Sequence, residues 1–248
     1  MRAIPLSAGA GIVHRMSVSI ARAVESKPLA RRALADDAYE TLKALIFDRH
    51  IAPDSWMAID ILARDLGVSQ TPIREALARL ESDGLVVRGE NGRYRTEPLL
   101  TRTSFDALYR VRLLLEPAAA GEAALHIGPD DIEALRAADA AMRVAPTGTV
   151  YAQFAQFTAG NAAFHDIIAR AADNRFLFDA IHRLHSHHRL AQLYLHHGIV
   201  DAAPALDEHA AIVEAIAGRD AAAASDLMRR HIERSRGELE KLVEEKSS

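Results

Sequence analysis

Apolar residues recur at helical rather than strand spacing along most of this 248-residue chain. Asp36 or Asp37 suits the cap of a helix reaching about Arg49, with Leu42, Leu45 and Ile46 on one face. Pro53 and Asp54 mark a turn within 51–55. A short helix over Ile59–Asp65 comes next, and Gly67 suits the left-handed position that ends it. Thr71-Pro72 opens another helix, with Pro72 near the first position, where a missing N–H costs nothing. Ile73, Ala76, Leu77 and Leu80 take the spacing of its buried face, and it stops after Ser82 at Asp83-Gly84. Leu85–Arg88 and Arg93–Thr96 are short extended runs around a hairpin turn, Glu90-Asn91-Gly92. Three helices and a hairpin in this order predict a winged helix-turn-helix over 36–98.

From Thr101 onward only helical periodicity appears. Thr103 or Ser104 can cap a helix to about His126, bent at Pro117. Gly128-Pro129-Asp130 restarts a helix to about Val144, and 145–148 form a loop. Long helices over Tyr151–Ala172 and Arg175–His197 are separated by Asp173-Asn174, and a helical pair over 204–217 and 220–244 is broken at Gly218. The expectation is an all-α second domain of about six helices over 101–248, in a mainly α protein. Residues 1–35 show little periodicity and read as a mostly disordered, basic arm. Their opening, MRAIPLSAGAGIVHRM, is too short and too broken by Pro5, Gly9 and Gly11 for a signal peptide, and Met16 is an alternative start.

Composition sharpens this picture. Hydrophobic residues make up 49% and aromatics only 5%, which favours close-packed helices over a sheet sandwich. The absence of cysteine removes disulfides, thiolate metal sites and cysteine nucleophiles, and fits a reducing cytoplasm. No apolar run approaches the roughly 18 residues that a membrane span needs. The net charge of −4 is not that of a typical DNA binder, and within 36–98 eight basic residues face twelve acidic ones. Attraction to phosphates therefore falls to locally placed Arg64, Arg74, Arg79, Arg88, Arg93 and Arg95, with dimerisation supplying further affinity.

A helix lying in the major groove reads bases with its first turn or two. Here those residues are Ser69, Gln70, Thr71 and Arg74. Gln suits a bidentate pair with adenine, Ser and Thr reach phosphates or base edges, and Arg suits guanine or phosphate. Arg93 beside Gly92 stands at the tip of the wing. Helix-turn-helix shapes also occur in proteins that never touch DNA, and the adjoining wing tips the balance toward DNA. The stretch LGVSQTPIREALARLESDGLV resembles the N-terminal domain of GntR-type bacterial transcription regulators. The resemblance covers about sixty residues and implies operator binding as a dimer. Two positions depart from the pattern: Gln70 stands where Arg is usual, and Asp60 where some members carry a basic DNA contact. Losing two positive charges shifts operator preference and weakens phosphate-driven affinity.

Twelve histidines and no cysteine raise the question of a metal. His182, His185, His187, His188, His196 and His197 crowd one helix and its end, a pattern more often of a surface than of a ligand set. Asn161 and His165 are one helical turn apart and share a face. His209 and His231 flank the break at Gly218, and folding those helices antiparallel brings them to similar heights. Spacing alone fits either three independent histidines or a divalent metal site with open positions. The stretches NAAFHDIIARAADN, DEHAAIVEAIAGRDAAAA and LMRRHI are similar to the FCD effector domain of FadR-subgroup GntR regulators. The resemblance implies that Asn161, His165, His209 and His231 hold a divalent ion, zinc or nickel, with Asn161 in place of the usual Asp. VRLLLE over 111–116 matches the first effector-domain helix, where Arg112 would meet an acidic ligand; the plainer alternative is an Arg112–Glu116 surface pair. Six helices over about 148 residues resemble the shorter, VanR-like form. The overall expectation is a cytoplasmic, homodimeric regulator of operator DNA, a repressor released by a small carboxylate and without enzymatic activity. A pure metal sensor, a metal-dependent hydrolase and a constitutive architectural DNA binder are the alternatives. No HExxH motif supports the hydrolase.

Overall fold

The computed structural model describes residues 29–192, 198–199 and 201–244. Helix α1 spans Leu29–Phe47, so the helix starts well before the capping position expected at Asp36 or Asp37. Both aspartates lie inside it and are exposed. The reason is local: LARRALA consists of strong helix formers with no breaker, and Ala35 and Ala38 are already buried. Disorder is therefore the wrong expectation for 29–35, and the rest of the arm lies outside the described residues.

Helices α2 (Ile59–Asp65) and α3 (Gln70–Ser82) form the helix-turn-helix. Gly67, at φ +67°, ends α2, with its N–H on Arg64 O and that of Val68 on Ala63 O. Gly84 repeats the device after α3. Helix α3 opens one residue earlier than expected, with Ser69 as its N-cap. Pro72 is the third residue of the helix, still within the first turn, where no backbone donor is needed. Ile73, Ala76, Leu77 and Leu80 are buried against Leu42 and Ile46 of α1.

Strands β1 (Trp56–Met57), β2 (Val86–Arg88) and β3 (Tyr94–Thr96) form an antiparallel sheet in the order β1-β3-β2. Strand β1 is an addition to the expected hairpin. Thr96 secures the turn before it: its Oγ1 donates to Ala52 O at 2.8 Å and accepts from Ser55 N at 2.9 Å.

Among the described residues, the second half has six helices: α4 (Arg102–His126), α5 (Pro129–Val144), α6 (Tyr151–Ala171), α7 (Arg175–Gln192), α8 (Ala203–Ala217) and α9 (Ala221–Glu244). The cap of α4 is Thr101, whose Oγ1 accepts from Ser104 N at 3.1 Å, rather than Thr103 or Ser104. Helix α4 runs unbroken through Pro117 and is the central helix, packed against α6, α7, α8 and α9. Phe105, Tyr109, Ala123, Phe164, Ile212 and Met228 lie in the core it shares with its neighbours. The expected end of α7 at His197 lies outside the described residues, as do the side chains of His185, His187, His188, His196 and His197. Among the described residues no helix is long and apolar enough to cross a membrane.

Candidate DNA-reading surface and three-histidine site

The first turn of α3 stands clear of its own domain. Ser69, Gln70, Thr71 and Arg74 are exposed while Pro72 and Ile73 are buried. Ser69, the N-cap, makes no side-chain cap hydrogen bond, so its hydroxyl is not committed to the helix end. Arg74 reaches back to within 3.4 Å of Gln70 Oε1, which joins the two side chains into one polar surface. On the wing, Gly89 N donates to Arg93 O at 2.8 Å, and Gly92, at φ +75°, makes the turn that leaves Arg93 exposed.

The other arginines read as phosphate contacts are already engaged. Arg64 pairs with Asp65 at 3.2 Å, Arg79 with Asp36 at 2.5 Å, and Arg95 with Asp54 at 2.7 Å. Arg79 also lies 4.0 Å over the Tyr39 ring, and Arg88 5.8 Å over that of Tyr94. The acidic excess of the domain is partly spent on its own arginines.

In the helical domain the structure brings together His165 of α6, His209 of α8 and His231 of α9. All three are buried, and one ring nitrogen from each lies within 4.8 Å of the others. His209 and His231 approach Nε2 to Nε2 at 3.4 Å. Phe164 stacks on the His209 ring at 4.2 Å and 18°. Burial, reinforced by the neighbouring His231 and His165, holds the His209 pKa well below its ordinary value, so this imidazole is neutral.

Two carboxylates that sequence reasoning did not assign to the site stand behind it. Glu208 Oε2 lies 2.8 Å from His231 Nδ1 and its Oε1 2.5 Å from Arg234 Nε. Burial would raise the pKa of Glu208, but the hydrogen bonds from His231 and Arg234 outweigh it and lower the value. An ionised Glu208 only accepts, so His231 donates from Nδ1 and turns its Nε2 toward the cluster. Glu116 Oε2 lies 2.9 Å from His165 Nδ1, and its Oε1 accepts from Arg112 Nε at 2.6 Å. Arg112 is 1% exposed, so the pair is a buried one and not the surface pair that its spacing also allows. Burial alone would lower the Arg112 pKa, but Glu116 outweighs it, and the guanidinium stays charged.

These residues fit a divalent ion. The 3.4 Å between Nε2 atoms matches the ligand–ligand edge, about 3.3–3.4 Å, of a four-coordinate ion with bonds of about 2.0–2.1 Å. A carboxylate hydrogen-bonded behind an imidazole, as Glu208 is behind His231, is the usual outer support of a metal-bound histidine. His209 Nδ1 is buried with no hydrogen-bond partner among the described residues. Asn161 is half-buried on α6, one turn before His165. A crevice too narrow to hold a water molecule adjoins the cluster, lined by Glu116, His165, Ala119, Ile168, Ala169 and Ile181 among others.

Comparison with known proteins places both halves of the chain in described families. Residues 34–94 match the model of bacterial regulatory proteins of the gntR family, and residues 107–234 match the FCD domain. The chain is 26% identical over 211 residues to the Bacillus subtilis HTH-type transcriptional regulator YdhC, covering 84% of this chain and 91% of that one. It is 28% identical over 229 residues to the putative L-lactate dehydrogenase operon regulatory protein of Escherichia coli, covering 81% and 84%. The fold superimposes on that of E. coli McbR/YncC with a TM-score of 0.65 at 20% identity, over 84% of this chain and 97% of that one. A GntR regulator from Rhodococcus gives 0.61 at 19% identity, over 83% and 96%. With a winged helix-turn-helix that reads DNA and an FCD domain behind it, this chain belongs to the FadR-like group of GntR transcription regulators and is not an enzyme.

Proposed function

We propose that this protein is a homodimeric repressor that releases its operator when a small organic acid binds beside a divalent ion, zinc or nickel, held by His165, His209 and His231 with Asn161 adjacent. The observation that carries it is the buried imidazole cluster with Glu208 hydrogen-bonded to Nδ1 of His231 and Glu116 2.9 Å from Nδ1 of His165. A bound ion would supply a positive centre toward which an acid orients. In the same reading Arg112 meets the effector carboxylate, which must share or displace Glu116. Operator contacts fall to Ser69, Gln70, Thr71, Arg74, Arg64 and the wing residues Gly92 and Arg93. Dimerisation falls to the outer face of α4, where Val111 and Leu114 are exposed at 39% and 72% and Leu125 continues the stripe.

The test is binding of the full chain to a duplex that it selects from random sequence, with zinc or with chelator, in the presence of L-lactate and other short carboxylates. L-lactate comes first because of the relative that regulates an L-lactate dehydrogenase operon. Release by an acid in zinc-loaded protein, lost in His209→Ala, supports the reading. The prior engagement of Arg112 by Glu116 favours a second reading, in which the ion alone is the signal. Chelator would then change DNA affinity and no acid would.

A further inference from the structure

Helix α6 belongs to two cores at once. Its first turn, with Tyr151 and Phe154, is buried in the core of the DNA-binding domain; from Phe157 through Phe164 and Ile168 it is buried in the helical domain. The N-terminal contact is specific. The Tyr151 ring stacks on Phe47, the last residue of α1, at 4.6 Å and 16°, and Phe154 meets Tyr151 edge-on at 5.5 Å. Lys43 Nζ lies 5.8 Å over the same tyrosine ring.

The cap of α6 comes from the other domain. Val150 occupies the N-cap position and has no polar side chain to offer the exposed N–H groups. The Tyr151 N–H instead donates to Asp48 Oδ1 at 2.7 Å, a carboxylate just past the end of α1 placed at the positive end of α6. Fourteen residues further along the same unbroken helix stands His165, about 21 Å away at ~1.5 Å per residue.

We propose that α6 is the coupling element between the two domains: Tyr151 and Asp48 dock the DNA-binding domain onto it, and a shift of α6 imposed at His165 moves that domain. A continuous helix packed on both sides transmits an axial shift or rotation more readily than it bends. The trigger rests on the reading of the histidine cluster as the regulated site; the dock rests on packing alone.

The experiment is a double-mutant cycle on the full chain, read as affinity for the selected duplex. His165→Ala supplies the perturbation without needing a metal, and zinc against chelator supplies a second one. In the wild-type background His165→Ala is expected to change duplex affinity by about 5–150-fold, the usual range of coupling between sites. In Tyr151→Ala or Asp48→Ala the same change should shrink to within about twofold, a non-additivity that marks the docking contact as the route of the coupling. Hydrogen exchange at the Tyr151 amide should quicken in both docking variants and in His165→Ala. Tyr151→Phe, which keeps the ring, should couple as the wild type does, and Asp48→Ala decides should Tyr151→Ala fail to fold. Equal responses in docked and undocked backgrounds would overturn the proposal, as would a His165→Ala protein with unchanged affinity and unchanged exchange at Tyr151. A null response to zinc alone, with the His165→Ala arm behaving as expected, would instead count against the metal reading and leave the coupling supported.

Discussion

His231 donates from Nδ1 to Glu208 at 2.8 Å, and this one hydrogen bond determines which nitrogen His231 offers to the cluster. Replacing Glu208 by Gln keeps the shape and removes the charge. Zinc affinity, measured by calorimetry, should fall about 10–100-fold, the usual cost of losing an outer-shell partner. Asn161→Asp should act in the opposite sense and tighten zinc, because a carboxylate is a stronger ligand for a divalent ion than an amide is. Unchanged affinity in both variants would place the ion elsewhere or nowhere.

The neutral state of buried His209 gives the metal-free protein a pH dependence of known sign. Its folded-state pKa lies well below the ordinary 6.5, so the unfolded chain binds a proton there that the folded chain does not. Stability from this residue is present above about pH 6.5 and is lost as pH falls toward the depressed folded value. Chelator-treated protein should show a Tm that declines below that point, and His209→Phe should decline less steeply.

At the reading head, Arg74→Ala should weaken operator binding by about 1–3 kcal/mol if Arg74 contacts a base, with relaxed preference at one base pair. A phosphate contact would instead lower the salt slope by about one and leave the selected sequence unchanged. Gln70→Arg should steepen that slope by restoring a positive charge. Binding titrations at several salt concentrations, with reselection of the duplex, separate these outcomes.

Leu114 tests the dimer. It is 72% exposed on the outer face of α4, so Leu114→Glu costs the monomer little while placing charges of one sign across a self-complementary interface. Sedimentation should show monomer in place of dimer, with weakened operator binding. A variant that remains dimeric would move the interface to another face.

Much of the DNA-binding domain was legible because its boundaries are written in punctuation. Gly67 and Gly84 both adopt positive φ where a helix must stop, and Pro72 sits where only a first turn tolerates it. Strand β1 left no such mark, because two residues carry no period and their partners, Arg95 and Tyr94, lie some forty positions away. The start of α1 is not legible from caps: Asp36 and Asp37 are good caps in isolation, whereas LARRALA ahead of them is a better helix than they are a boundary. For the histidine cluster, the antiparallel pairing of α8 and α9 could be read from spacing about Gly218. The carboxylates behind it could not. Glu116 reaches His165 across 49 positions, and only its i,i+4 relation to Arg112 was visible. Glu208 left one usable signal, its place next to His209 and level with the helix turn that holds His231.

The shared helix α6 also bears on how this protein can be divided. Sequence divides the chain near residue 98, yet Tyr151 and Phe154 from beyond that boundary complete the core around Tyr39, Phe47 and Leu77. A fragment cut there would bare an aromatic face on the reading head and leave α6 without its cap from Asp48. The head is therefore not an interchangeable module. Grafting it onto a different effector domain would have to carry the first turn of α6, or an equivalent of it, along with the helix-turn-helix.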